Sequence, residues 1–430
     1  MIERYSTAPM SQLWKEETKF KYWLIVEEAV AWAQGELGII PKTLHPKLKK
    51  AKIDVKKITE IEEIVQHDVI AFLKSIEKPL GRDAKLLHFG LTSYDIVDTA
   101  LALRCLIACN YILSAMKDLA KTTKQLAQKH KYTLMMGRTH GIHAQPITFG
   151  LKCLSWHEEI IRNIQRIQTA QNNLGYGKIS GAVGAYTEID PKVESLALKR
   201  LGLKPEPVST QIIPRDRYAE LLTSLAILAS SLERIVTEIR NLQRTEINEL
   251  AEPFGKSQRG SSAMPHKKNP IICERIGSLA RVVRSFAQVG LENISLWHER
   301  DLTNSANERI IIPSSTSLIH YMILKLNNVL RGLEVNTEKM KENIDKSKEQ
   351  FFSQGLMLAM VKKGIDRDQA YKITQRLAFV AKEKNENFSK IVLQDTEINK
   401  LFKEKEIKNL FSWQRLLKNI DYIFKRTIGS

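Results

Sequence analysis

Apolar residues recur through the middle of the chain at steps of four and three. Leu221, Leu225, Leu228, Leu232, Ile235, Ile239 and Leu242 form a heptad seam with polar residues between them. The seam predicts a helix opened by Arg215, Asp216 and Arg217 after Pro214 and running to about Leu250, roughly 50 Å at 1.5 Å per residue. A second seam, Ile319, Ile323, Leu326, Leu330 and Leu333, follows Pro313. Proline is expected in that helix's first turn, where its missing N–H would be unpaired anyway. Residues 94–130, 148–173 and 271–297 carry similar apolar patterning. Helices this long exceed the globular average. They imply an all-α fold around an elongated bundle, with seams on several sides that suit packing between subunits.

Strand signals are sparse. Residues 177–187, with three glycines, read as an irregular turn or short hairpin. The flanks differ from the middle, and 430 residues exceed what one core supports. Three consecutive domains are expected. Residues 1–92 hold short helices broken by Pro41, Pro46 and Pro79. Residues 93–342 form the long bundle, and residues 343–430 form short, Lys-rich helices.

Lys and Arg outnumber Asp and Glu 66 to 48, a formal charge of +18. That balance favours an anionic partner: nucleic acid, an acidic membrane surface or a small polyanionic substrate. A basic nucleic-acid-binding helical protein would show zinc-finger spacing, an RNP motif or a compact basic helix, and none is present. The lysines are dispersed among glutamates instead, as at residues 382–387. Four cysteines are too few for a disulfide scaffold, and Cys105 and Cys109, at i,i+4, read as buried thiols. Residues 1–10 lack an apolar leader, and no run of about 18 uninterrupted apolar residues occurs. The expected setting is the reducing cytoplasm, away from membranes.

Three segments break the helical pattern: residues 88–95 (HFGLTSYD), 137–143 (GRTHGIH) and 260–270 (GSSAMPHKKNP). Each is polar, contains glycine and adjoins a long helix, and loops placed by rigid helices are where chemistry collects. In the first, Thr92 and Asp95 suit a capping box. In the second, His140 and His143 lack a third ligand at metal spacing, so no metal site is expected. The third has no ready structural explanation. Gly255 and Gly260, with Lys256 and Arg259, make a basic approach to a loop suited to closing over an anion.

Residues 260–270 resemble the signature of the fumarase/aspartase superfamily of lyases. The His-Lys-Lys-Asn form, with HFGLTSYDIVDT at 88–99 and MGRTHGIHAQPITFG at 136–150, is similar to the adenylosuccinate lyase family. The likeness runs from Arg4–Tyr5 through Glu308–Arg309. It implies a three-domain, all-α carbon–nitrogen lyase. The long helices would form a homotetramer core, with active sites shared among three subunits and no cofactor, metal or nucleic acid. The reaction implied is β-elimination of fumarate from a succinylated purine nucleotide, in purine biosynthesis. Argininosuccinate lyase is the alternative within the superfamily, against which His266 and the Thr-Ser-Tyr-Asp run argue.

The chemistry needs a base for a carbon-bound proton, an acid for the leaving nitrogen and fixed positive charge for a developing dianion. The resemblance assigns Ser261 as general base and His140 as general acid. Lys267 would stabilise charge and Glu274 orient the histidine. His67 is counted with this group and, like His88, matches a residue that holds the nucleotide. Arg4, Tyr5, Gln66, Asp68, Thr92, Ser93, Gln211, Ser262, Asn269, Arg275, Ser305, Asn307 and Arg309 match substrate-binding positions. Two departures stand out. The family usually has Arg where Gln66 stands, and a Ser-His-Ser-Ser-like run where Thr303–Asn304–Ser305–Ala306 stands. Loss of the arginine would weaken nucleotide binding unless another residue such as Lys85 compensates.

Overall fold

The computed structural model describes residues 2–255, 259 and 263–429. Helices make up 68% of the structure. The long patterns become α1 (Ser93–Lys129), α2 (Phe149–Leu174), α3 (Asp216–Leu242), α4 (Ile271–Glu292) and α5 (Ser305–Arg331). Among the described residues the strands form three two-stranded pairings.

Three helix ends differ from the sequence expectation. α3 stops at Leu242, short of Leu250, because the next steps of its seam land on Glu246 and Glu249. Leu250–Ala251 instead pairs antiparallel with Glu334–Val335. α4 ends at Glu292 rather than near Trp297. α5 begins eight residues before Pro313, which therefore lies inside the helix and forfeits the N–H bond to the Arg309 carbonyl. A hairpin was also missed. β1 (Leu134–Thr139) and β2 (Ile142–Thr148) pair antiparallel, with a bulge between Met136 and Arg138. In the 177–187 segment, Tyr176–Gly177 pairs in parallel with Lys204–Pro205. The chain beyond it is irregular and turns at Gly181 and Gly184. At Gly184 φ is +81°, and a Cβ would lie 2.2 Å from the Ser209 carbonyl oxygen, so no other residue fits.

The chain divides into two compact units. One comprises Met1–Leu119, Ile160–Arg234 and Arg275–Leu326, the other Ala120–Glu159, Ile235–Glu274 and Asn327–Ser430. The first unit's core clusters Phe20, Trp23 and Phe72, with Phe20 stacked on Phe72 at 6.0 Å. The second packs Phe351, Phe352, Leu356, Phe388 and Met136 of β1. The α3 seam from Leu221 to Leu242 is buried within the single chain. That seam therefore needs no partner subunit to cover it.

α1 is long and apolar enough to cross a membrane by composition, yet 61% of that stretch is buried inside the chain. All four cysteines are free and buried, and burial raises their thiol pKa values, that of Cys109 to about 12.

Candidate active site

In the first unit, Gln66 at φ +54° ends the helix Val55–Val65, and His67 caps the helix Asp68–Leu80. The Ile70 N–H donates to His67 Nδ1 at 3.4 Å. Asp68 accepts from Arg309 Nη2 at 2.7 Å. Burial opposes its charge, but Arg309 and the Val69 N–H hold its carboxyl below the usual carboxylate range. The two substrate-binding candidates Asp68 and Arg309 are thus each other's partners. Gln66 folds its amide back onto the Glu63 carbonyl at 2.7 Å, which accounts for a residue that here ends a helix. Arg4 is exposed on the single turn Glu3–Tyr5. The Tyr5 ring meets Tyr321 edge-on at 5.9 Å, and Arg275 donates to the Tyr321 hydroxyl at 3.0 Å.

Asp95 organises the start of α1. Its carboxylate accepts from the Thr92 N–H at 2.7 Å, and from the Ser180 and Gly181 N–H groups at 3.1 and 3.3 Å. It also binds Lys178 Nζ, and both side chains of that pair are fully buried. Half of the expected capping box is present, and the Asp95 N–H donates to the Thr92 backbone carbonyl at 2.9 Å. This network sets the Thr92–Ser93 turn against residues 178–181. His88, at φ +60°, pairs with buried Glu27. The Tyr94 hydroxyl donates to Ser305 Oγ at 3.1 Å. Arg300 lies 3.6 Å over the Tyr94 ring and donates to Gln211 Oε1 at 2.7 Å.

Two residues behave structurally. Asn307 exchanges reciprocal amide hydrogen bonds with Asn293, at 2.6 and 2.8 Å, and its amide also reaches the Thr303 carbonyl. Its substrate-binding assignment therefore competes with a closed pair. Asn304, the family departure, is fully buried and donates to Glu308 at 3.1 Å, so it serves the core.

In the second unit, His140 and Gly141 are the two residues between β1 and β2, with φ +54° and +78°. Positive φ at both positions is the signature of a type I′ hairpin turn, and histidine is among the non-glycine residues that enter this region. The turn leaves His140 exposed at the hairpin tip. The hairpin is anchored below by Arg138, bidentate on fully buried Glu249 at 2.6 and 3.0 Å, which Asn343 also engages at 2.9 Å.

Lys267, Asn269 and Glu274 line a cleft of about 790 Å³ with His266, Lys268, Arg240 and Arg244. Glu274 sits in the first turn of α4, 4.0 Å from Arg240. The α4 N-terminus is capped from a distance: buried Glu252 accepts the Ile272 and Cys273 N–H groups at 3.0–3.1 Å. Ser261 and Ser262 lie outside the described residues. The structure brings Lys267, Asn269 and Glu274 together, while His140 is not among the residues lining their cleft. His67, His88 and the remaining substrate candidates belong to the first unit. Sequence reasoning missed Glu27, Lys178, Arg300 and Glu252, and read Asp95 only as a capping residue. A lone lysine among small residues at 177–184, and an aspartate three residues after a cap, were the available signals.

Comparison with known proteins decides the family. Residues 4–285 match a family described as Lyase, and residues 349–427 match one described as Adenylosuccinate lyase C-terminus. The chain is 48% identical to a protein of Thermotoga maritima named adenylosuccinate lyase, with 99% of each chain covered. Relatives of that name from Aquifex aeolicus and Bacillus subtilis are 48% and 44% identical, each covered over 99% of its length.

The chain belongs to the adenylosuccinate lyase family.

A crystal structure of a fumarate lyase from Mesorhizobium sp. BNC1 superposes with a TM-score of 0.90 at 25% identity, covering 99% of this chain and 98% of that one. A 3-carboxy-cis,cis-muconate lactonizing enzyme from Pseudomonas putida, at 23% identity and TM-score 0.90 over 99% and 97% of the two chains, shares the fold. Within the adenylosuccinate lyase family, the resemblance of the three loop segments and the all-α architecture are accounted for together.

Proposed function

We propose that this chain releases fumarate from adenylosuccinate to give AMP, and from the succinylcarboxamide ribonucleotide SAICAR to give AICAR. The observation that carries this reading is the 44–48% identity to relatives named adenylosuccinate lyase, over alignments spanning nearly the whole chain. The cationic cleft around Lys267 supports it, because elimination beside a carboxylate builds negative charge that fixed cations stabilise.

In this reading Ser261 removes the proton from carbon, and the C–H electron pair becomes the C=C of fumarate. The C–N bond breaks, its pair goes to nitrogen, and His140 supplies that nitrogen's proton. Lys267 stabilises the intermediate dianion, and Glu274 raises the basicity of the acid histidine's ring. Asp68, Arg309, His67 and His88 hold the nucleotide.

His140 is not among the described residues lining the Lys267–Glu274 cleft, which supports a site assembled from three subunits of a homotetramer. Apolar side chains left exposed near α4 and α5, such as Trp297 at 78%, Leu302 at 67% and Ile310 at 60%, suit such an assembly. The three-domain division and a cytoplasmic setting belong to the same reading.

The test follows absorbance on adding adenylosuccinate, alongside fumarate release from argininosuccinate. Turnover of the first and none of the second is expected. The reverse result would move the chain to another branch of the superfamily.

A further inference from the structure

A second electropositive cleft, of about 680 Å³, lies within the second unit where β2 faces residues 346–354 and 382–385. Its volume is in the range of small-ligand pockets. Lys346, Lys348, Lys382 and His143 line it, and no Asp or Glu is among its lining residues. Among the described residues neither Lys348 nor Lys382 has a carboxylate within ion-pair distance. Lys346 donates to the neutral amide oxygen of Asn343 at 3.0 Å and lies within the field of Glu342, which is not among the lining residues. Glu349, next in sequence to Lys348, is tied away by accepting the Ser389 N–H at 3.2 Å.

The backbone holds this arrangement in place. Lys348 and Glu349 have φ of +48° and +61°, and Asn385, across the cleft, has φ +51°. Left-handed backbone is strained for Lys348 and Glu349 and persists only where the surroundings enforce it. Here the Phe388 N–H donates to the Lys348 carbonyl at 2.9 Å, fixing the lysine's place on the rim. Gln145 of β2 donates to Gln354 at 2.9 Å and ties the hairpin to the 350–354 turn.

We propose that this cleft binds a compact oxyanion carrying two negative charges, a phosphate group or a small dicarboxylate. Lys348 and Lys382 supply positive charge with no ion-pair partner among the described residues, and His143 supplies a hydrogen-bonding ring from the hairpin. Lys346, Lys348 and Lys382 share a lining that contains no carboxylate, and a dianion seated there is attracted to all three. Because β2 begins two residues after His140, an occupant bridging Lys348 and His143 stiffens the hairpin whose tip carries that histidine. The binding claim stands apart from the proposed reaction, and its test does not read turnover.

The experiment titrates inorganic phosphate and, separately, fumarate into the full-length protein at constant ionic strength held by chloride. Thermal stability and calorimetric binding are read on three proteins: the parent, the double variant Lys348→Gln/Lys382→Gln, and Lys267→Gln. Saturable stabilisation should survive in Lys267→Gln and weaken at least tenfold in the double variant. Phosphate acting alone, or fumarate acting alone, identifies the source of the dianion. Equal binding by the parent and the double variant, with both folded by circular dichroism, overturns the proposal. So does stabilisation lost only in Lys267→Gln, which assigns the anion to the other cleft.

Discussion

His88 Nδ1 lies 2.5 Å from Oε1 of Glu27, a carboxylate only 2% exposed. Burial by itself lowers a histidine's pKa, but the charge and hydrogen bond of Glu27, with Asp95 nearby, raise it above 6.5. A raised histidine contributes stability fully below its unfolded pKa and loses it as pH climbs through the folded value. Glu27→Gln should therefore destabilise most at pH 5.5–6, with the deficit shrinking above pH 8. Thermal unfolding of both proteins across that range checks this, and a pH-independent deficit would argue against a charged pair.

His140→Asn separates chemistry from turn geometry. Asparagine accepts the left-handed conformation that the β1–β2 turn requires. Unfolding free energy should stay within about 0.5 kcal/mol of the parent, while turnover falls about 10²–10⁴-fold for a lost general acid. Gly141→Ala should do the opposite. It strains a residue at φ +78° by about 1–2 kcal/mol and leaves the acid in place. Steady-state rates and denaturant midpoints on the two variants discriminate.

Ser261→Ala should remove nearly all turnover while leaving the substrate's binding constant almost unchanged, because a base acts chiefly in the transition state. Mixing inactive His140→Ala with inactive Lys267→Ala subunits should restore part of the activity, since sites built from several chains regain one intact copy. Turnover of Ser261→Ala within roughly tenfold of the parent would reject the base assignment. No recovery after verified subunit exchange would reject shared sites.

Glu308 is buried beside an already neutral pair, Arg215 bidentate on Asp98 at 2.7 and 2.9 Å. Its carboxyl is pushed up to about 7, by burial first and by Asp98, against the pull of Arg215 and Asn304. An acid with a raised folded pKa costs stability as pH rises from its unfolded value near 4.5 through 7. Glu308→Gln keeps an acceptor for Asn304 and should raise the melting temperature at pH 8 with little effect at pH 5. A melting temperature unchanged at pH 8 would mean the carboxylate is better compensated than its surroundings imply.

The long helices were legible because each repeats one apolar face over many turns, as from Leu221 to Leu242. Their ends were not. Pro313 suits a first turn equally well as a single lost bond inside a helix, and only the packing of residues 305–312 chooses. The hairpin at 134–148 hid because its strands pair locally around a two-residue turn whose histidine is an uncommon choice. The loop segments were readable as unusual polar runs beside helices. What positions them was not, since Asp95 finds Lys178, and Glu252 finds the start of α4, across long separations that no local pattern announces.

The Asp95 network also sets an order of events during synthesis. Its partners Lys178, Ser180 and Gly181 lie more than 80 residues downstream of Asp95. At about 5–20 residues per second, a ribosome takes several seconds to supply them after Thr92 and Ser93 have emerged. Until then the nascent chain carries an aspartate destined for full burial with neither its ammonium partner nor its downstream N–H donors. The Thr92–Ser93 turn therefore cannot lock when α1 first coils. It closes only once the far side of its own wall has been translated, and a chain truncated before Lys178 would lack that wall altogether.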